Sequence, residues 1–258
     1  MTNPRRLWCL VLAVLAGMGW PAVSHATTLL PIDAEGLVDQ AHLIFVGTAL
    51  RHEVVLSKDQ TFPFTFITFQ IDETLKGRTP DRELTLAFPG GMIGGDVVEI
   101  VGTPEFETGE KYLLFVRANG AREFPILGWT QGQFRFAQDP LSGTRILVDT
   151  QGRALLGIGS GRWLRSREAV VGDGEARVEE GVSVLSEEGV RITPLPLEMA
   201  QGTAREAKIS GANDALSSLR RLIRERTKLG KSVSGRILRS ARAEDLPLNL
   251  GVRAAVQP

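Results

Sequence analysis

Residues 62–75 read Phe62-Pro63-Phe64-Thr65-Phe66-Ile67-Thr68-Phe69-Gln70-Ile71-Asp72-Glu73-Thr74-Leu75. Phe64, Phe66, Thr68 and Gln70 alternate with Thr65, Ile67, Phe69 and Ile71. Aromatic and β-branched residues at a period of two predict a β-strand. It is apolar on both faces at first and on one face later. Lys76-Gly77-Arg78-Thr79-Pro80 ends it. Upstream, His42–Leu56 carries Ile44, Phe45, Val46, Val54 and Val55, and predicts a long strand in which Gly47 marks a bulge or bend. Downstream, Glu83–Phe88, Val97–Val101, Lys111–Arg117, Phe124–Trp129, Gln133–Ala137 and Arg145–Val148 read as further strands. The stretch from Pro89 to Gly95 is too rich in glycine for a regular element, and Asp139-Pro140-Leu141-Ser142-Gly143 has the residues of a turn. With 28 Gly and 13 Pro in 258 residues, many short elements are expected. The fold class is therefore mainly β, a small barrel or sandwich ending near Thr150.

Two helices flank this region. Asp33 is placed as the N-cap of a short helix reaching Ala41, with Glu35 in its first turn. Residues 151–210 are read as an irregular, glycine-rich extension with acidic patches. Residues 211–230 predict an amphipathic helix: Leu216, Leu219, Leu222 and Ile223 share one face, Arg220, Arg221, Arg224 and Arg226 occupy the rest, and Gly230 stops it. Residues 231–258 have no sustained period and read as a basic, flexible tail.

The first 26 residues have the form of an export signal. Arg5 and Arg6 precede an apolar run from Leu7 to Met18, and Ser24-His25-Ala26 places small residues three and one before a cut. That run is shorter than the ~20 residues needed to span a bilayer. The expected address is exported, periplasmic or extracellular, with the mature chain starting at Thr27 and no transmembrane segment left after cleavage. The only cysteine, Cys9, lies in the signal, so neither disulfides nor thiol chemistry are expected in the mature protein. The chain's 30 basic and 30 acidic residues cancel only in sum. Residues 27–204 hold 16 basic against 25 acidic groups, and residues 205–258 hold 12 against 5. An acidic barrel region and a basic tail can dock on each other, or the tail can seek an anionic surface; specific nucleic-acid binding is not expected.

Catalytic chemistry is sparse. Only His42 and His52 survive signal cleavage to serve as general bases. Gly157-Ile158-Gly159-Ser160-Gly161 and Gly230-Lys231-Ser232-Val233-Ser234 both miss the G-x-S-x-G pattern. On one extended strand the two histidines would stand roughly 33 Å apart, too far to share a metal ion. The glycine clusters lack the Lys-Ser/Thr pair of a phosphate loop. Glu105, Glu107 and Glu110 resemble a calcium set in type alone, without the glycine and Asp/Asn pattern of a calcium loop. No catalytic residue, metal site or cofactor is assigned.

The string Ala41-His42-Leu43-Ile44-Phe45-Val46-Gly47-Thr48, followed by Phe66–Gly77, resembles the opening of bacterial exported domains with an OB-type, netrin/TIMP-like barrel. Pro89-Gly90-Gly91, Gly102-Thr103-Pro104-Glu105-Phe106, Gly109–Phe115 and Gly132-Gln133-Phe134-Arg135-Phe136 follow in the order of such domains. The resemblance covers about residues 35–150 and implies an OB-like barrel over residues 27–150. Such domains accompany a matrixin-like protease region in some bacterial proteins, and this chain has no H-E-x-x-H of its own. Tissue inhibitors of metalloproteinases use an N-terminal cysteine, which a chain starting at Thr27 lacks, so that chemistry is not implied.

The functional expectation is an exported, non-enzymatic binding protein whose partner is another exported protein or an anionic surface. OB barrels bind along one face and its loops, which singles out Gly90, Gly91, Gly94, Gly95, Trp129 and Gln131 as a binding surface, and Arg220, Arg221, Arg224 and Arg226 as contacts for a polyanion. The alternatives are an extracytoplasmic hydrolase using carboxylates, which requires a pocket with two facing acids, and an accessory protein of a secreted metalloprotease.

Overall fold

The alternating stretches at 43–56 and 63–76 form the two longest strands among the described residues, β1 (Leu43–Leu56) and β2 (Pro63–Lys76), paired antiparallel in a computed structural model. The structure describes residues 30–100, 102–119, 124–170, 211–231 and 237–246. The segment expected to be an export signal, all of residues 171–210, and residues 232–236 and 247–258 of the tail lie outside them.

β3 (Glu83–Pro89), β6 (Lys111–Val116), β7 (Gln133–Gln138), β8 (Arg145–Val148), β9 (Arg153–Gly159) and β10 (Arg162–Ala169) complete one eight-stranded antiparallel sheet in the order β10-β9-β8-β7-β6-β1-β2-β3. β4 (Gly91–Ile93) and β5 (Asp96–Val98) form a separate hairpin. The register of β1 on β2 shifts at three places, one of them beside Gly47. A Cβ at Gly47 would lie 2.6 Å from the carbonyl oxygen of Gln70, so only glycine permits the strands to approach there.

Two expectations are corrected. The sheet does not close into a barrel: β3 and β10 are its edges. Its curl does bring the edge of β3 to the chain just after β6. There Asn119 accepts the N–H of Ala87 at 3.3 Å and donates to the carbonyls of Thr85 and Arg239 at 2.7 Å. Side-chain bonds replace a closing ladder. The second correction concerns residues 151–170, read as irregular, which form β9 and β10. Ser160 and Gly161 both take positive φ and make the hairpin turn, so the glycine-serine cluster is a turn. Gly161 also packs on the first helix, where a Cβ would stand 2.4 Å from Glu35 Oε1.

That helix, α1 (Ala34–Gln40), has Asp33 as N-cap, its carboxylate accepting the Gly36 N–H at 2.7 Å. Its C-terminus is held by Lys76, whose Nζ donates to the Val38 and Ala41 carbonyls at 2.6 Å each. Burial brings the Lys76 ammonium down to about 8, against the pull of Asp39. The second helix, α2 (Ala212–Lys228), buries Leu216, Leu219, Leu222 and Ile223.

Both helices cover one face of the sheet, where Ile44, Val46, Phe115, Phe134, Phe136, Leu155 and Trp163 form a continuous core with them. Strand alternation sends Phe45, Ile67, Phe69, Leu84, Leu86, Tyr112 and Leu114 to the opposite face. Phe106, from a loop, and Leu238, from the tail, cover that second core. Part of the tail, residues 237–246, packs on the sheet. Leu238 and Leu246 are buried, the Ala241 N–H bonds the Thr85 carbonyl at 2.9 Å, and Ser240 Oγ accepts the Thr85 N–H at 3.1 Å. The exposed backbone groups of edge strand β3 thereby gain partners.

Candidate functional site: a cleft on the loop-covered face

The loop before β6 determines the shape of this face. Pro104 and Phe106 turn inward while Glu105 and Glu107 are exposed, the alternation of an extended segment. Among the described residues no strand pairs with this segment. It is held by two side chains from the sheet instead: Gln133 Nε2 donates to the Glu105 carbonyl at 2.6 Å, and the Tyr112 hydroxyl accepts the Glu107 N–H at 2.8 Å. Phe106 lies 5.0 Å from the rings of Phe69 and Tyr112 and 5.4 Å from Phe88. Burial raises the Tyr112 phenol above its ordinary value.

Between this loop, the far half of β1 and the end of β8 lies a cleft of about 940 Å³. Its floor is Ile67, Phe88, Phe106 and Tyr112, and its walls include His52, Glu105, Glu107, Gln133, Arg135 and Asp149. Partial covering of the ring lowers the His52 imidazole, which favours its neutral form. Asp149 is already committed: it pairs with Arg153 at 2.8 Å and Arg165 at 3.1 Å and accepts the N–H groups of Gln151 and Arg153.

Two polar groups of the wall, Gln133 Oε1 and the Arg135 guanidinium, have no partner among the described residues. Gln133 is 5% exposed, and its Oε1 accepts no hydrogen bond among the described residues. The bond from Nε2 to the Glu105 carbonyl fixes the orientation of the amide, because a flipped amide would set two oxygens against each other. Arg135 is half-buried, and no carboxylate lies within ion-pairing distance of it among the described residues. A buried acceptor and a half-buried cation without partners are costly unless something else binds them.

A second depression, of about 830 Å³, lies at the start of α2. Two of its carboxylates are paired, Asp72 with Lys111 at 2.7 Å and Glu73 with Arg220 at 2.8 Å, while Arg145 and Asp214 in its lining have no ion pair among the described residues. No group of three or more metal-ligating side chains occurs among the described residues.

The residues singled out from sequence are spread over the molecule. Gly90 and Gly91 lead into the β4–β5 hairpin, and Gly94 and Gly95 form its turn, with positive φ and open space around both. The stretch expected to be loop is thus regular, and exposes Met92 opposite Val97. Trp129 stacks on Phe124 at 4.0 Å and lies over Gly102, where a Cβ would be 2.9 Å from the indole. Gln131 accepts the Ile32 N–H at 2.6 Å. These two residues pack the chain on itself and do not line the cleft.

Of the four arginines on α2, Arg220 is bidentate on Glu73, and Arg226 binds both Glu35 and Asp39 of α1. Arg221 and Arg224 remain exposed. The basic helix therefore docks on the acidic region through half of its arginines. Residues 129–136 are a stretch that the sequence marks for binding, but the residues singled out in it are Trp129 and Gln131 rather than Gln133 and Arg135. Their signal was Gln133-Phe134-Arg135-Phe136, polar residues at alternate positions of a strand that lies inside the sheet. No family model matches the chain, and neither does any curated protein or solved structure.

Proposed function

We propose that the protein is an exported, non-enzymatic binding protein that seats its ligand in the cleft on the loop-covered face. The observation that carries this reading is the pair of unpartnered groups in the cleft wall, Gln133 Oε1 and the Arg135 guanidinium. A polar ligand would supply what both lack. A carboxylate hydrolase is less well supported. Asp149 is held by two arginines, and Glu105 and Glu107 stand two residues apart on the same lip, so neither faces the other across a bond between them.

A photo-crosslinking amino acid placed at Thr130 or Thr150 in the cleft, or at Arg221 or Arg224 on α2, tests the location in cells. Adducts from the cleft positions alone support the reading. Adducts from the helix positions, with none from the cleft, overturn it.

A further inference from the structure

We infer that the ligand of the cleft is a mixed-charge polypeptide segment, its basic side chain set against Glu105 and Glu107, its carboxylate against Arg135, and a donor directed to Gln133 Oε1. This rests on the cleft being the binding site. Three features of the wall point to this chemistry.

The first is charge of both signs. Glu105 and Glu107 carry no ion pair among the described residues, and neither does Arg135, although all three line one cleft. A ligand of one sign would satisfy one wall and be repelled by the other, whereas a segment with both matches each. Arg135 stands opposite Tyr112 and Val148 in the strand register, so its stem is fixed by the sheet and its planar fork is ready for a carboxylate.

The second is the state of the aromatic floor. Phe88, Phe106 and Tyr112 are 1%, 7% and 2% exposed and pack edge-on or tilted against one another. No ring face is open for a sugar to stack on, so the floor offers an apolar seat for the stem of a side chain. The third is the hydrogen-bonding inventory. Gln133 Oε1 can only accept, as can the two carboxylates, so this side of the cleft calls for N–H donors, which a peptide backbone with a lysine or arginine supplies.

Titration calorimetry on the full chain tests the inference with end-blocked hexapeptides carrying one Lys and one Glu, the same peptides with Gln in place of either charge, and a neutral chitooligosaccharide. The mixed-charge peptide should bind, and losing either charge should weaken it about tenfold. Arg135→Ala should abolish discrimination at the Glu position only, and Glu105→Gln with Glu107→Gln at the Lys position only. Arg135→Lys should restore part of the first loss, and unchanged melting temperatures would exclude misfolding as the cause. Equal binding of all peptides, no binding of any at millimolar concentration, or indifference to Arg135→Ala overturns the inference. Saccharide binding lost on Gln133→Leu would overturn the peptide class while leaving the cleft as the binding site.

Discussion

The two faces of the sheet are covered in different ways. On one, α1 and α2 lay continuous apolar surfaces over Phe115, Phe134 and Trp163, and Arg220 and Arg226 lock the longer helix to Glu73, Glu35 and Asp39. On the other, a single extended loop and a piece of the tail do the covering, and a cleft remains beside them. The charged groups at the helix contact are paired, although Trp163 Nε1 in that core has no hydrogen-bond partner, and in the cleft wall Gln133 Oε1 and the Arg135 guanidinium have none among the described residues. The helix-covered face is closed by packing and ion pairs, and the loop-covered face keeps the cleft in which we propose the ligand sits.

Substitution of a core phenylalanine on each side should separate these roles most strongly. Phe134 is 1% exposed and touches Phe115 and Trp163, so Phe134→Ala should cost about 3–5 kcal/mol in urea denaturation. Phe106→Ala should cost less, because its loop can relax into the space, yet should remove ligand binding by releasing Glu105 and Glu107. Equal stability losses with binding intact would break the comparison.

The next effect concerns the β3 edge. Asn119→Ala removes three hydrogen bonds and takes their side-chain partner from the Ala87 N–H and the Arg239 carbonyl, while the Thr85 carbonyl keeps the Ala241 N–H. A loss of about 1–3 kcal/mol follows, with concentration-dependent self-association through the uncovered edge. Sedimentation velocity reads the second effect.

Arg226→Met should lower the melting temperature by a smaller amount. Added salt, which screens exposed pairs, should lower the wild type more than the variant. An identical salt response in both would remove the ion pairs from the account of helix docking.

The smallest effect is that of Lys76. Its folded value of about 8 lies below the ordinary lysine value, so the unfolded chain binds more protons between that pH and about 10.4. Stability should therefore rise with pH across this window and be lowest, for this group, below it. Lys76→Met should flatten the rise, as read by denaturation at several pH values.

Much of the frame could be read from local pattern. The period-two runs of β1 and β2, the Asp33 cap and the leucine spacing of α2 are each set by neighbours in sequence. Glycine misled the reading twice. Gly94-Gly95 and Ser160-Gly161 read as turns inside irregular chain, yet each is a two-residue turn of positive φ that joins two strands into a hairpin. Barrel closure was misjudged because the edge of β3 is completed by Asn119 and Ser240 across long separations, which no local pattern carries. The cleft was hidden for the same reason: His52, Glu105, Gln133 and Asp149 meet only once the sheet has folded. Gln131 and Gln133 look alike in sequence, but one bonds Ile32 and the other lines the cleft.

Backbone and side-chain amide NMR during titration with the Lys/Glu peptide addresses the division of labour most directly. The account predicts shifts at Thr65, Ile67, Tyr112, Gln133 and Arg135, with α2 and the β4–β5 hairpin unchanged. Shifts confined to α2 around Arg221 and Arg224, or to Met92 and Val97 on the hairpin, with the cleft silent, would contradict it.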